Sequence, residues 1–180
     1  VGGYVGQIGK ALGCRVVGIA GGPEKCKWVV DELGFDACVD YREAGLFKAL
    51  RAECPDGIDV YFDNVGGTVL ETVLALMNEK GRIACCGAIS QYDTKAPTGP
   101  RNLPGLVVVK RLRMEGFIVM DFADDDAKAI RALQTWVRSG QIKVTEDVVE
   151  GLENAPKALI GLLAGDNKGK RMVRVTADPS

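Results

Sequence analysis

From residue 14 onward, short apolar runs alternate one for one with stretches of helical periodicity. No other feature of the chain restricts its fold as much. "CRVVGIA" (14–20) predicts a buried strand, and "PEKCKWVVDELG" (23–34) a helix, with Pro23 in its first turn and Gly34 as its C-cap. "FDACVDY" predicts a short strand, "LFKALRAEC" a helix and "GIDVYFDNV" (57–65) a strand. The helix "GTVLETVLALMN" and the strand "GRIACCGAI" (81–89) continue the series. After a long polar loop, "SQYDTKAPTGPRNLPG", come a strand, "LRMEGFIVM" (112–120), and a helix, "DAKAIRALQTWVRSG" (126–140). Strands alternating with helices imply parallel crossovers, and near-continuous apolar strands imply a sheet covered on both faces. The expected class is therefore α/β: a doubly wound parallel sheet, the Rossmann-type architecture. From about residue 141 the pattern changes. "KVTEDVVEGL" and "GKRMVRVTA" alternate apolar with polar residues around a short helix, "APKALIGLLAG", like a piece of a different sheet.

Composition narrows the chemistry. The 180 residues are 47% apolar with a net charge of -1, which gives no basic surplus for nucleic acid or an anionic membrane. No apolar run reaches the roughly 20 residues needed to span a bilayer. There is no histidine. Of the six cysteines (Cys14, Cys26, Cys38, Cys54, Cys85, Cys86), none forms a C-x-x-C pair. A disulfide framework or structural zinc is not expected. Most of these cysteines read as small core residues of a reducing, cytoplasmic protein. Chemistry here needs a cofactor, Tyr, Lys or carboxylates.

The front of the chain, "VGGYVGQIGKALG", carries Gly2, Gly3, Gly6 and Gly9. Glycines at a strand-to-helix turn let backbone approach a pyrophosphate at a helix N-terminus. Small residues that bring a helix close to its neighbours would read the same way, and the glycines alone leave both readings open. The next strand discriminates further. NAD enzymes place a carboxylate at its tip, against the ribose hydroxyl. Here the tip is Ala20, Gly21 and Gly22, followed by Glu24 and Lys25. A glycine tip beside a lysine suits a 2′-phosphate, so the pattern favours NADP(H) over NAD(H).

Several segments, in order, carry a resemblance: "VGQIGKALGCRVVGIAGGPEKC", "LGFDACVDYR", "CPDGIDVYFDNVGG", "GRIACCGAISQY", "GPRNLP", "RMEGFIVMDF" and "EDVVEGLENAPKALIGLLAGDNKGK". Together they resemble the zinc-independent medium-chain dehydrogenases/reductases, specifically the NADPH-dependent alkenal/prostaglandin reductase group. The likeness runs over nearly the whole chain. It implies a nucleotide-binding domain over 1–140, lacking its first strand, and a returning segment of the catalytic domain over 141–180. It implies that Val1 and Gly2 close the pyrophosphate turn and that Lys25 and Tyr41 hold the 2′-phosphate. Asn64 would contact the cofactor, and Cys86, Gly87, Ala88, Ile89, Ser90 and Tyr92 would run along the nicotinamide ribose. Phe117, Ile118 and Val119 would line the nicotinamide pocket, and Asn167 would reach the cofactor from the returning segment. Asn64 has an alternative as a helix cap, and Asn167 as a turn residue.

The reaction implied is reduction of a carbon–carbon double bond conjugated to a carbonyl, without zinc. Hydride reaches the β-carbon, and the enolate is protonated. Tyr92 is the candidate catalytic donor, its phenol being neutral at pH 7, with a structural or cofactor-positioning role as the alternative. Other readings are a quinone reductase of the same superfamily and a nucleotide-binding fragment without turnover. The resemblance implies a homodimer through the nucleotide-binding domain, in keeping with an apolar strand, "MEGFIVM", that would lie at a sheet edge. The resemblance implies a small enone as substrate, and charge and hydropathy point to no nucleic-acid or membrane partner.

Overall fold

The computed structural model describes residues 1–92, 95–96 and 98–176. Three positions of the long loop (93, 94 and 97) and the tail 177–180, with the last residue of the final predicted strand, lie outside the described residues.

The elements follow the sequence closely. Helix α1 (Gly2–Ala11) leads into strand β1 (Val17–Ala20), helix α2 (Pro23–Leu33) and strand β2 (Ala37–Asp40). Then come α3 (Leu46–Glu53), β3 (Ile58–Asp63), α4 (Gly67–Leu76) and β4 (Met77–Cys85). Helix α5 (Leu103–Lys110) and strand β5 (Arg113–Gly116) precede α6 (Asp126–Arg138). The last part is β6 (Glu146–Glu150), α7 (Ala155–Ala164) and β7 (Lys170–Arg174). Helix α2 starts at Pro23 and stops at Gly34, whose left-handed φ of 72° suits glycine at a C-cap.

Every ladder is parallel. β1 pairs with β2, β3–β4–β5 form a three-stranded sheet, and among the described residues β6 pairs only with β7. The mixed α/β class is as expected. The ladder is not continuous, however, because β1 and β3 share no register among the described residues. The strands are also less covered than their apolar runs suggested: all of β1 is half-buried, and Val60 on β3 is 56% exposed.

Four further expectations are corrected. The strand predicted over 112–120 ends at Gly116, since Val119–Asp125 coils into a 3-10 turn. Helix α5 rises from a stretch read as loop and carries Pro104 in its first turn, where proline is tolerated. β4 begins at Met77, at the end of a predicted helix, and passes through a register shift before Arg82. No cysteine is fully buried: Cys14 is exposed and the other five are half-buried.

The core joins both sheets of the 1–140 region. Val39 of β2, Leu50 of α3, Leu70, Val73 and Leu74 of α4, and Ile83 of β4 form one cluster, with Val73 and Leu74 at 0% exposure. Each such side chain contributes roughly 1.5–3 kcal/mol through burial. A second cluster of Val29, Leu33 and Phe35 lies under α1. The buried Gln7 of α1 links this region to the chain after α6. Its Nε2 donates to the Lys143 carbonyl (3.2 Å), and its Oε1 accepts from the Lys143 N–H (2.7 Å).

Candidate functional site

Ligands in open parallel sheets bind beyond the carboxyl ends of the strands, and two constellations form there. The first sits at the ends of β1 and β2. Gly21 continues β1, and Tyr41 and Arg42 lie over it. A Cβ built on Gly21 would stand 3.1 Å from the Tyr41 ring and 2.8 Å from Arg42 Nε. Only glycine leaves that space. Asp40 fixes the arrangement: its Oδ1 accepts from the N–H groups of Gly22 and Arg42, both at 2.9 Å. Lys25, on the first turn of α2, sends its Nζ to the Gly165 carbonyl (3.0 Å), just past α7. Burial pushes the Lys25 ammonium pKa down, and the like charge of Arg42 adds to this, while Asp166 opposes it.

Asp40 is a carboxylate near the glycine tip that the sequence reading did not weigh. Its pKa is held below the ordinary range, first by the Gly22 amide and then by the Arg42 amide. A lowered folded pKa stabilises fully above the unfolded value of about 3.9, and that gain is lost as pH falls through the folded value. Amide protection factors at Gly22 and Arg42 are therefore expected to hold from neutral pH down to about 4 and to drop below it. Hydrogen exchange on the parent chain and on Asp40→Asn measures this. Equal acid sensitivity in the two chains would count against it.

The second constellation joins the turns after β3 and β4. Asp63, only 3% exposed, ends β3. Its Oδ1 accepts from the N–H groups of Val65 (3.0 Å) and Gly66 (2.9 Å) and from the Tyr61 hydroxyl (3.1 Å). Burial, then the Asp63 charge, pushes the Tyr61 phenol pKa up. The turn carrying Asn64 is thus set by a buried carboxylate. The second turn is stitched onto it: Cys86 N–H and Gly87 N–H donate to the Asp63 carbonyl, Ile89 N–H to that of Asn64, and Ser90 N–H to that of Val65. Ser90 Oγ also donates to the Val65 carbonyl (2.6 Å).

Asn64 Oδ1 and Tyr92 Oη both face Gly87, lying 2.7 Å and 3.2 Å from where its Cβ would be. Asn64 is not a helix cap, since Gly66 occupies that place in α4 and no side-chain cap bond forms. Tyr92 is 71% exposed, and its hydroxyl accepts from Ala88 N–H (3.3 Å). Its own O–H is left to donate outward. Phe117 adjoins this group through its N–H, which donates to the Cys85 carbonyl (3.3 Å). Its ring sits between Phe62 and Phe122, with centroids 6.3 and 5.9 Å away. Ile118 and Val119 follow it, 56% and 70% exposed.

The structure therefore gathers Lys25 and Tyr41 in one place, and Asn64, residues 86–92 and Phe117 in another. Val1 precedes α1 and Gly2 opens it, with nothing within 4 Å of a Cβ on Gly2. Asn167 lies in the turn that follows the Gly165 contact, and its Nδ2 donates to the Gly169 carbonyl (2.7 Å). Its amide serves the turn. Among the described residues, no three His, Cys, Asp or Glu side chains stand close enough to hold a metal ion. Nor is any described helix long and apolar enough to cross a membrane.

Parallel strands ending in these glycine turns define a nucleotide-binding α/β protein. The chain belongs to the zinc-binding dehydrogenase family, whose model matches residues 1–135. The NADPH-dependent curcumin reductase of Escherichia coli (strain K12) is 46% identical over 183 residues, covering 99% of this chain and 53% of that protein. Prostaglandin reductase 1 of Rattus norvegicus is 47% identical over 176 residues, covering 97% and 53%. The crystal structure of CurA in complex with NADPH from Vibrio vulnificus superposes with a TM-score of 0.93 at 45% identity, covering 99% and 54%. The chain spans about half the length of the relatives it matches.

Proposed function

We propose that this chain is the NADP(H)-binding part of an oxidoreductase that reduces the carbon–carbon double bond of α,β-unsaturated aldehydes and ketones. The observation that carries the reading is the cationic face over Gly21. Tyr41 and Arg42 lie over the glycine tip there, Lys25 stands within electrostatic reach of Arg42, and Asp40 turns its Oδ1 to two backbone amides. The cofactors and substrates named for the relatives support it.

When bound, the nicotinamide supplies a hydride. The chain's residues bind and orient. Val1 and Gly2 stand at the N-terminus of α1, where free N–H groups and the helix dipole favour a pyrophosphate. Lys25 and Tyr41 take the 2′-phosphate. Asn64, the 86–92 turn, Phe117, Ile118 and Val119 flank the nicotinamide end, and Asn167 approaches from the far side. Tyr92, with its proton free, donates to the carbonyl oxygen of the enone as negative charge grows there. We read residues 1–140 as the nucleotide-binding part and 141–180 as a returning catalytic segment, supported by the separate β6–β7 pair. The edge position of β5 supports a homodimer.

The expected result is that NADPH binds at least about tenfold more tightly than NADH, and that Lys25→Ala removes most of the difference, since charge-assisted bonds to a phosphate are the strong ones. Calorimetric titration with both nucleotides measures it. Equal affinities in the parent chain would sink the assignment.

A further inference from the structure

Two cations lie together near the β1 tip, and Asp166 acts on Lys25 and Asp40 on Arg42 only through space, without an ion pair among the described residues. The neighbouring basic residues are paired: Lys27 with Asp31, Lys168 with Glu24 and Arg171 with Asp147. Among the described residues, neither Lys25 nor Arg42 makes such a pair. Instead, Lys25 Nζ donates to the Gly165 carbonyl and Arg42 Nη2 to the Ala164 carbonyl, both at 3.0 Å. These carbonyls belong to the last residue of α7, Ala164, and to its C-cap, Gly165. A helix C-terminus carries a partial charge of only about -0.5, so it offsets two full cations poorly. Like charges held side by side are a cost that an anion would relieve.

The Arg42 guanidinium is also aimed. Its Nε and Nη1 lie 2.8 and 3.8 Å from the Cβ positions of Gly21 and Gly22, on the side shared with the Tyr41 ring. Its backbone is pinned by Asp40 beside the Gly22 amide. One described hydrogen bond occupies a side chain with five donors. A fork of donors over a glycine tip matches a phosphate monoester, which carries about -1.5 to -2 charge at pH 7 and is taken bidentately by arginine.

We propose that Arg42 is a second cation of the 2′-phosphate site and a determinant of the preference for NADPH. The proposal rests on the NADP(H) reading above. In it, the carbonyls of the last residue of α7 and of its C-cap Gly165 hold Arg42 and Lys25 in place, and the stronger phosphate contact takes them over.

The test is binding of NADPH and NADH to the parent chain, Arg42→Ala, Arg42→Lys and Lys25→Ala, with thermal melts to confirm folding. Arg42→Ala is expected to weaken NADPH about tenfold and leave NADH within about twofold, and Arg42→Lys to recover part of the loss, because charge returns without the fork. A parent chain that prefers NADPH while Arg42→Ala keeps the full preference would overturn the proposal alone. Equal weakening of both nucleotides would also overturn it, showing that Arg42 acts only through α7. A parent chain without preference, or one that binds neither nucleotide, would bring down the reading beneath it.

Discussion

Asp63→Ala is expected to lower stability by about 3 kcal/mol or more, because it strips the acceptor from three donors at once and each buried unmet donor costs roughly 1–3 kcal/mol. The donors are Val65 N–H, Gly66 N–H and the Tyr61 hydroxyl, gathered on one oxygen of a carboxylate that is 3% exposed. The damage should spread, since the 86–90 turn hangs on the Asp63, Asn64 and Val65 carbonyls. Asp63→Asn keeps an acceptor oxygen and is expected to cost less than half as much. Urea denaturation of both variants measures this. An alanine variant within about 1 kcal/mol of the parent would mean that the carboxylate does not organise the turn.

Gly6→Ala is expected to destabilise by about 2–3 kcal/mol, the usual cost of overpacking. This reverses the intrinsic preference, since alanine in a helix interior is favoured over glycine by about 1 kcal/mol. Gly6 lies inside α1, and its added Cβ would fall 1.8 Å from Phe35 Cζ. The ring has no easy escape. It is 8% exposed, and its other side lies 3.1 Å from where a Cβ on Gly18 would be. Trimming the ring should therefore rescue the helix substitution. In a double-mutant cycle with Phe35→Leu, the pair is expected to cost at least about 1 kcal/mol less than the sum of its parts. Simple additivity would show that Phe35 is free to move aside.

Periodicity and punctuation carried the element order, because a buried strand and an amphipathic helix impose their periods on the residues they bury. Pro23 and Gly34 marked both ends of α2. The glycines of α1 had two readings, and Gly6 takes the packing one, against Phe35. Segments went wrong where local preference yielded to tertiary setting. "FIVM" has the composition of a strand but leaves β5 at Gly116 and turns into a 3-10 segment, with Phe117 packed between Phe62 and Phe122. "LPG" (103–105), read as the end of the long loop, instead opens α5.

At the candidate site, the residues at strand ends were legible, since position there is enough to suggest a ligand contact. Asp40, Asp63, Gln7 and Arg42 were not. The first three act on backbone amides and carbonyls brought near by folding. Arg42 stands out only because Gly21 lies beneath it and its guanidinium forms no ion pair among the described residues. A charged residue after a strand looks like any solvated one until its neighbours are known.

The central claim is that the protein built on this chain reduces the double bond of an enone with NADPH. The most direct measurement is product analysis after incubation with NADPH and an α,β-unsaturated aldehyde, with NADH in parallel. The account predicts NADPH consumption matched by the saturated aldehyde, with NADH much slower. An allylic alcohol as product, consumption of NADH at an equal rate, or no turnover by the intact protein would contradict it.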